Sequence, residues 1–344
     1  MTVTTQSIAK NLGLAKSTIS LALRNHPSVS QKTRTRVQET ARLLNYQPNA
    51  IAQAMTTGRT RVLGFVSCNF DLEHTARIFN GVLMQADAEG YLVKVFRVDW
   101  EMDVQMVVQQ CRQHCLSGLV CGQVSVQKKE QLCQAMHELK IPLAQITGPQ
   151  GMPHLVHVHS DDVSGMFQAV EYLSRLKHQC LGYIDGNLDS SLNSNRRQGL
   201  LDAVKALKLD LPSHRIVEGR FDPTTIERQT KMLLTGKDPI TAILCINDQA
   251  AMVVIRTARA MGLQVPEDLS VIGFSDMSMA EYCDPPLTTI AQPYQAMGQR
   301  ATECLLIQIR HNIETKIASA SIACDELMPT KLIVRDSTGP AKLI

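Results

Sequence analysis

Thr4-Thr5-Gln6-Ser7-Ile8-Ala9-Lys10-Asn11-Leu12-Gly13-Leu14-Ala15-Lys16-Ser17-Thr18-Ile19-Ser20-Leu21-Ala22-Leu23 reads as two short helices about a tight turn. Thr4 is a good N-cap, and Ile8, Ala9 and Leu12 recur at helical spacing. Gly13 stops the first helix where a left-handed turn favours a residue without a Cβ. A second helix from about Ala15 to Leu23 turns Ile19, Ala22 and Leu23 inward and leaves Lys16, Ser17, Ser20 and Leu21 outside. This spacing sets a recognition helix into a DNA major groove. A third helix follows the cap Ser30, packs through Val37, Ala41 and Leu44, and carries Arg34, Arg36 and Arg42 over its outer surfaces.

Charge supports a nucleic-acid partner. Met1 to Arg61 holds nine Lys/Arg and one acid, Glu39, a net of +8; the whole chain is +3, so the other 283 residues carry about −5. A basic head on a mildly acidic body suits a DNA reader joined to a second function. The plain alternative is a three-helix bundle with a solvated basic surface. Past the head, Pro48 closes one segment, Asn49 can cap another, and Ala50-Ile51-Ala52-Gln53-Ala54-Met55 spells a helix too short to persist alone in water. It should order only against a partner, such as a second copy on DNA.

Ile8-Ala9, Gly13 to Ser20, Val29-Ser30 with Thr33-Arg34 and Val37, and Tyr46-Gln47-Pro48-Asn49 together resemble the LacI/GalR family of bacterial repressors. The resemblance implies a DNA-binding set of Thr4, Lys16, Ser17, Thr18, Ser20, Leu21, Arg24, Thr33, Tyr46, Asn49, Ala52 and Met55. Lys16 and Ser17 fall where the family specifies bases. Met55 takes the place of the hinge leucine that wedges into the minor groove, a task its flexible side chain can perform. Three departures point to an unusual operator. Leu21 replaces an Arg and can touch only a thymine methyl or exclude polar edges. Arg24 replaces an Asn and suits a phosphate. Ala15 replaces a Ser and forgoes a cap.

From Val62 the chain alternates apolar strand-like runs with amphipathic helices, beginning Val62–Val66, Ile78–Ala88, Leu92–Val98 and Val104–Cys115. The pattern restarts after His154 and runs to Leu269–Phe274, giving two sets of five units with a seam near residue 160. Continuous apolar runs in this order predict an α/β protein with parallel sheets. Ligands on such sheets sit beyond the carboxyl ends of the strands, which singles out Asn69, Phe70, Asp71, Asn247, Asp248, Ser275 and Asp276. Each alone is as readily a turn or cap residue.

The resemblance extends through Asp161, Gly165, Arg196, Gly199, Asn247-Asp248, Val265 to Phe274, Pro285 to Ile290 and Gln292-Pro293. It implies a two-lobed core like the type I periplasmic binding proteins, with crossings near 161, 290 and 325. The expected domains are a helix-turn-helix head over 1–45, a hinge over 46–60 and a core over 61–338. One lobe would take 61–160 and 292–323, the other 161–291 and 324–338, and 339–344 would be a tail. Arg196 would clasp hydroxyls or an anionic group, Phe221 stack on a ring face, and Asn247 and Gln292 bond polar edges. Ser275 stands where the family has a sugar-gripping Asp, unless Asp276 substitutes, and Asp71-Leu72-Glu73-His74 replaces a family motif after the first strand. A Ser grips a diol less firmly than a carboxylate. Asp71, Arg196, Phe221, Asn247, Ser275, Asp276 and Gln292 form the expected effector set.

The chain lacks a Gly-x-Gly-x-x-Gly, a Walker loop and a Gly-x-Ser-x-Gly elbow, so an enzyme is the weaker reading. Ten scattered cysteines contain no C-x-x-C pair and read as small apolar residues. Cys111, His114 and Cys115, or His157 and His159, could share a face, but buried thiols and solvated histidines are the simpler account, and neither a metal nor a cofactor is expected. With no leader and no membrane-length apolar run, a cytoplasmic protein is expected. The combined expectation is a homodimeric repressor of a pseudo-palindromic double-stranded operator, controlled by a sugar or sugar derivative between the lobes. A sugar-binding protein without a regulatory role is the alternative.

Overall fold

The computed structural model describes residues 3–23, 25–46, 60–99, 103–147, 155–187, 194–236, 240–315 and 324–342. They form two compact units, Met1–Arg61 and Val62–Ile344. The expected hinge helix over Ala50–Met55 lies outside the described residues, as do Arg24, Asn49, Ala52 and Met55.

The head comprises α1 (Thr5–Leu12), α2 (Lys16–Leu23) and α3 (Gln31–Leu43). Thr4 and Ser7 form a reciprocal capping box on α1, and Gly13 closes it at φ 66° with its N–H on Ala9 O. Ile8, Ile19, Ala22, Val29, Val37 and Ala41 form the core. Two expectations change. Leu21 is half-buried against this core, because a helix this short gives its apolar flank to the bundle. Arg34 is also drawn in: its Nη2 donates to His26 O and Val29 O at 3.1 Å each, bracing the loop before α3.

The core is built from two six-stranded sheets. The first runs through β1 (Val62–Ser67), α4 (Glu73–Ala88), β2 (Leu92–Arg97), α5 (Val104–Gln113), β3 (Gly118–Cys121), α6 (Val126–Glu138), β4 (Leu143–Ile146) and β5 (Val156–Ser160). The second uses α7 (Asp162–Arg175), β6 (Leu181–Asp185), α8 (Ser194–Leu207), β7 (Ile216–Glu218), α9 (Pro223–Leu234), β8 (Ala242–Cys245), α10 (Asp248–Ala260), β9 (Ser270–Ser275), α11 (Met279–Tyr282) and β10 (Thr288–Ala291). The chain then returns through α12 (Tyr294–Thr315), β11 (Cys324–Met328) and β12 (Lys331–Ile333). Strand orders are β11-β5-β4-β3-β1-β2 and β12-β10-β9-β8-β6-β7. The pairings are parallel except β10 with β12.

The third crossing differs from expectation. Residues 324–328 pair with Val156–Ser160 in the first sheet, so the return to the second lobe comes at Pro329-Thr330. Pairing with β5 satisfies backbone groups that an isolated edge would leave open. Residues 339–342 are not a free tail either: Gly339 N–H donates to Ser270 Oγ at 3.1 Å and Ala341 N–H to Leu176 O at 2.8 Å. Nor are His157 and His159 solvated, at 5% and 8% exposure.

Close helix contacts fix each lobe. A Cβ on Gly298 would lie 2.1 Å from Ile78 O, and one on Gly81 2.0 Å from Gln295 O, so α4 and α12 meet backbone to backbone. Gly199 does the same for α7 and α8, its Cβ position being 2.2 Å from Val163 O. Gly298→Ala is expected to destabilise the core by about 1–3 kcal/mol through overpacking, read by urea unfolding. An unchanged midpoint would contradict this close approach.

Candidate functional site

The head presents Lys16 and Ser17 exposed in the first turn of α2, with Thr18 and Ser20 half-buried beside them. Thr4 is exposed but its side chain is spent as the α1 cap, and Thr33 sits in the first turn of α3, its N–H on Ser30 Oγ. Tyr46 packs against the head core. Lys10, Lys32, Arg36 and Arg42 are exposed while Arg34 is engaged, so the solvent-facing positive charge exceeds one helix's worth. Such a surface attracts phosphate through counterion release.

In the core, strand ends converge on a half-buried guanidinium. Arg196, on α8, donates from Nε to Asp162 Oδ2 at 2.9 Å, from Nη1 to Ile246 O at 2.6 Å and from Nη2 to Gln292 Oε1 at 3.1 Å. Its guanidinium carbon Cζ lies 4.0 Å from the centroid of the Phe274 ring. Burial works against its charge, but the adjacent Asp162 outweighs that and holds Arg196 above the ordinary arginine range. Gln292 Nε2 donates to Ser160 Oγ at 2.7 Å and Asp162 Oδ1 at 2.9 Å. The Tyr294 hydroxyl donates to Gln292 Oε1 and lies 3.1 Å from Ser275 Oγ. The His74 ring, 5.5 Å from that of Tyr294, bonds Gln123 Oε1 through Nε2 at 2.7 Å. Burial lowers the His74 pKa despite this bond, favouring the neutral ring.

The lobes are also joined directly. Glu73 on α4 accepts Ser278 Oγ–H at 2.6 Å and Ser278 N–H at 3.0 Å, and Arg77 Nη1 donates to Asp276 O at 2.9 Å. Burial pushes Glu73 up, but the Ser278 bonds and then Arg77 prevail and hold its carboxyl below the usual range. These contacts turn a swing of one lobe into the breaking of charge-assisted bonds.

Of the expected effector residues, Arg196, Ser275 and Gln292 come together. The others do not. Asn247 caps α10, accepting Ala250 N–H at 2.8 Å. The Asp276 carboxylate pairs with Arg335 at 2.8 Å. The side chain of Asp71 is 88% exposed, 3.6 Å from Arg97, and Phe221 is 57% exposed. Sequence reading missed Ser160, Asp162, His74 and Tyr294. Asp161 drew notice instead, yet it is the α7 cap, accepting Ser164 N–H at 2.9 Å.

Asp248, at the start of α10, is fully buried and accepts Thr289 Oγ1–H at 2.5 Å and Met277 N–H at 2.7 Å. Burial outweighs these bonds and raises it from 3.8 to about 6. The native state therefore holds this proton more tightly than the unfolded chain, so its contribution favours folding below about 4 and is lost as pH rises through about 6. Asp248→Asn should gain stability relative to wild type as pH is raised across that window, measured by urea unfolding at several pH values. A pH-independent difference would remove Asp248 as its source.

Residues 4–49 match the bacterial regulatory proteins of the lacI family, and residues 170–338 match the periplasmic binding protein-like domain. The chain is 28% identical to the HTH-type transcriptional regulator DegA of Bacillus subtilis (strain 168), covering 99% of each chain. It is 29% identical to the HTH-type transcriptional repressor CytR of Escherichia coli (strain K12), over 97% of this chain and 96% of that one. Among solved structures it is similar to the lac repressor dimer bound to operator and the anti-inducer ONPF. There the identity is 26% and the TM-score 0.78, over 98% of this chain and 100% of that one.

Proposed function

Because this chain belongs to the LacI family of bacterial regulatory proteins, we propose that it is a DNA-binding transcription repressor set by a small molecule held between the lobes of its core. One observation carries the reading: a basic helix-turn-helix with an exposed Lys16/Ser17 edge shares a chain with a core whose first two crossovers meet at the half-buried Arg196. Relatives matched over nearly the whole chain are an HTH-type transcriptional regulator and an HTH-type transcriptional repressor, which supports the reading.

Lys16 and Ser17 read bases; Arg24, Thr33 and Tyr46 position the backbone; Met55 enters the centre of the operator. The protein acts as a homodimer, since a pseudo-palindrome is read by matching two-fold symmetry, as in the lac repressor dimer on its operator. The effector is a sugar or sugar derivative meeting Arg196, Gln292 and Ser275, a set of donors and acceptors suited to hydroxyl groups. A ligand that competes for Arg196 changes the bonds of Asp162 and Gln292 and so shifts the lobes. By linkage, effector and operator alter each other's affinity by the same factor, tightening or releasing. Its place of work is the cytoplasm, where chromosomal DNA lies; among the described residues no helix is long and apolar enough to cross a membrane.

Selection of bound sequences from random duplex DNA, with and without pooled metabolites, tests this reading. A palindrome lost in Lys16→Ala/Ser17→Ala is expected; no enriched sequence under either condition would overturn it. Met55→Ala should weaken operator binding at least tenfold without changing effector affinity. Arg196→Ala should still bind operator but lose the effector response, both read by fluorescence anisotropy. A retained response would remove Arg196 from the pocket.

A further inference from the structure

His157 and His159 stand two residues apart on β5, so both imidazoles leave the same face of the first sheet. On the neighbouring edge strand, Asp325 is in register with His157. Its Oδ1 lies 3.1 Å from His157 Nδ1 and 3.2 Å from His159 Nε2. The two rings stack at 4.5 Å between centroids, 10° from parallel. Two nitrogens and a carboxylate oxygen thus lie within 4.8 Å of one another.

A histidine buried for internal bonding has a different environment. His178 reaches Thr241 Oγ1 and Gly339 O at 2.9 Å each, one from each ring nitrogen. His157 instead shares one carboxylate oxygen with His159, its Nδ1 and the His159 Nε2 both facing Asp325 Oδ1. Lys129, whose charge also faces this region, is turned onto Ile146 O and Thr147 O. The side chain of Asp325 is 62% exposed, which leaves an entry path at the sheet edge. The competing set, Cys304, Cys324 and Glu326, is poorer: Glu326 already holds Arg300, and burial followed by the Cys324 contact pushes the Cys304 thiol up to about 12.

We propose that His157, His159 and Asp325 bind a divalent first-row transition ion of the zinc class, as a two-histidine, one-carboxylate face with its remaining positions open to water. Because a ring nitrogen's lone pair lies in the ring plane, bringing both nitrogens onto one ion at about 2.1 Å requires the stacked rings to turn out of their near-parallel arrangement. The ion ties β11 to β5 immediately before both strands enter crossovers. His159 adjoins Ser160, which bonds Asp162 and Gln292, so the clamp sits beside the Arg196 network.

Tag-free full-length protein, stripped with a chelator, is titrated with Zn²⁺ and Co²⁺ by calorimetry and thermal unfolding. One ion per chain and a raised Tm are expected. Affinity should fall at least ~10-fold in Asp325→Asn and in His159→Gln, and stay at the wild-type value in Cys304→Ser/Cys324→Ser. Asp325→Asn is isosteric and largely exposed, so it decides the matter alone if the histidine variant fails to fold. The proposal is overturned by no binding at about 100 µM ion, by unchanged affinity in Asp325→Asn, or by a thiolate-to-cobalt charge-transfer band that the cysteine variant abolishes.

Discussion

A guanidinium largely withdrawn from water keeps its charge only beside a carboxylate and with its N–H groups bonded, and the core is organised around meeting that demand at Arg196. Asp162 stands just past the first crossover, Gln292 within the second, and Ile246 at the end of a strand of the second sheet. Satisfying one side chain therefore sets the mutual position of segments that are far apart in sequence. Removing one member leaves a buried charge uncompensated, a large cost, so the cluster responds as a unit. The Glu73–Ser278 and Arg77–Asp276 bridges add a second, more exposed tie between the lobes. Being partly solvated, that tie is the weaker of the two and the first to yield when the lobes move.

The elements with strong periodic or continuous apolar patterns were legible in the chain. β1, with its five buried residues, and the head helices with Ile8, Ile19 and Val37 inside, follow from hydrophobic spacing alone. β11 was misplaced because its burial alternates weakly and its partner lies 168 positions away at Asp325 and His157, a long-range pairing with no local signal. Asp162 was missed for a related reason: Asp161 and Asp162 are chemically identical neighbours. Only the helix start decides that the first caps and the second turns inward to the guanidinium. Asn247 shows the reverse case. A residue expected in a pocket is held by the backbone of its own helix, the commoner fate of Asn at that position.

In the head, the distribution of arginines matters more than their number. Arg34 gives its N–H groups to the carbonyls of His26 and Val29 and so sets the loop between α2 and α3. Gln38 holds the same loop through Asn25 Oδ1 at 2.8 Å. The exposed Lys16 edge thus stands on a helix whose far end is pinned. A reading surface of eight residues has rigidity that its own length would not provide.

The discontinuity of the first sheet also orders events on the ribosome. Its buried face needs Met297, Ala301 and Leu305 of α12 to cover Leu63, Phe65 and Val156, and its β5 edge needs β11. Both arrive only after the whole span from Asp162 to Ala291 has been made. During translation, the first half of the core must wait with one apolar face and one strand edge uncovered. That long interval is when such a chain most needs protection from its neighbours.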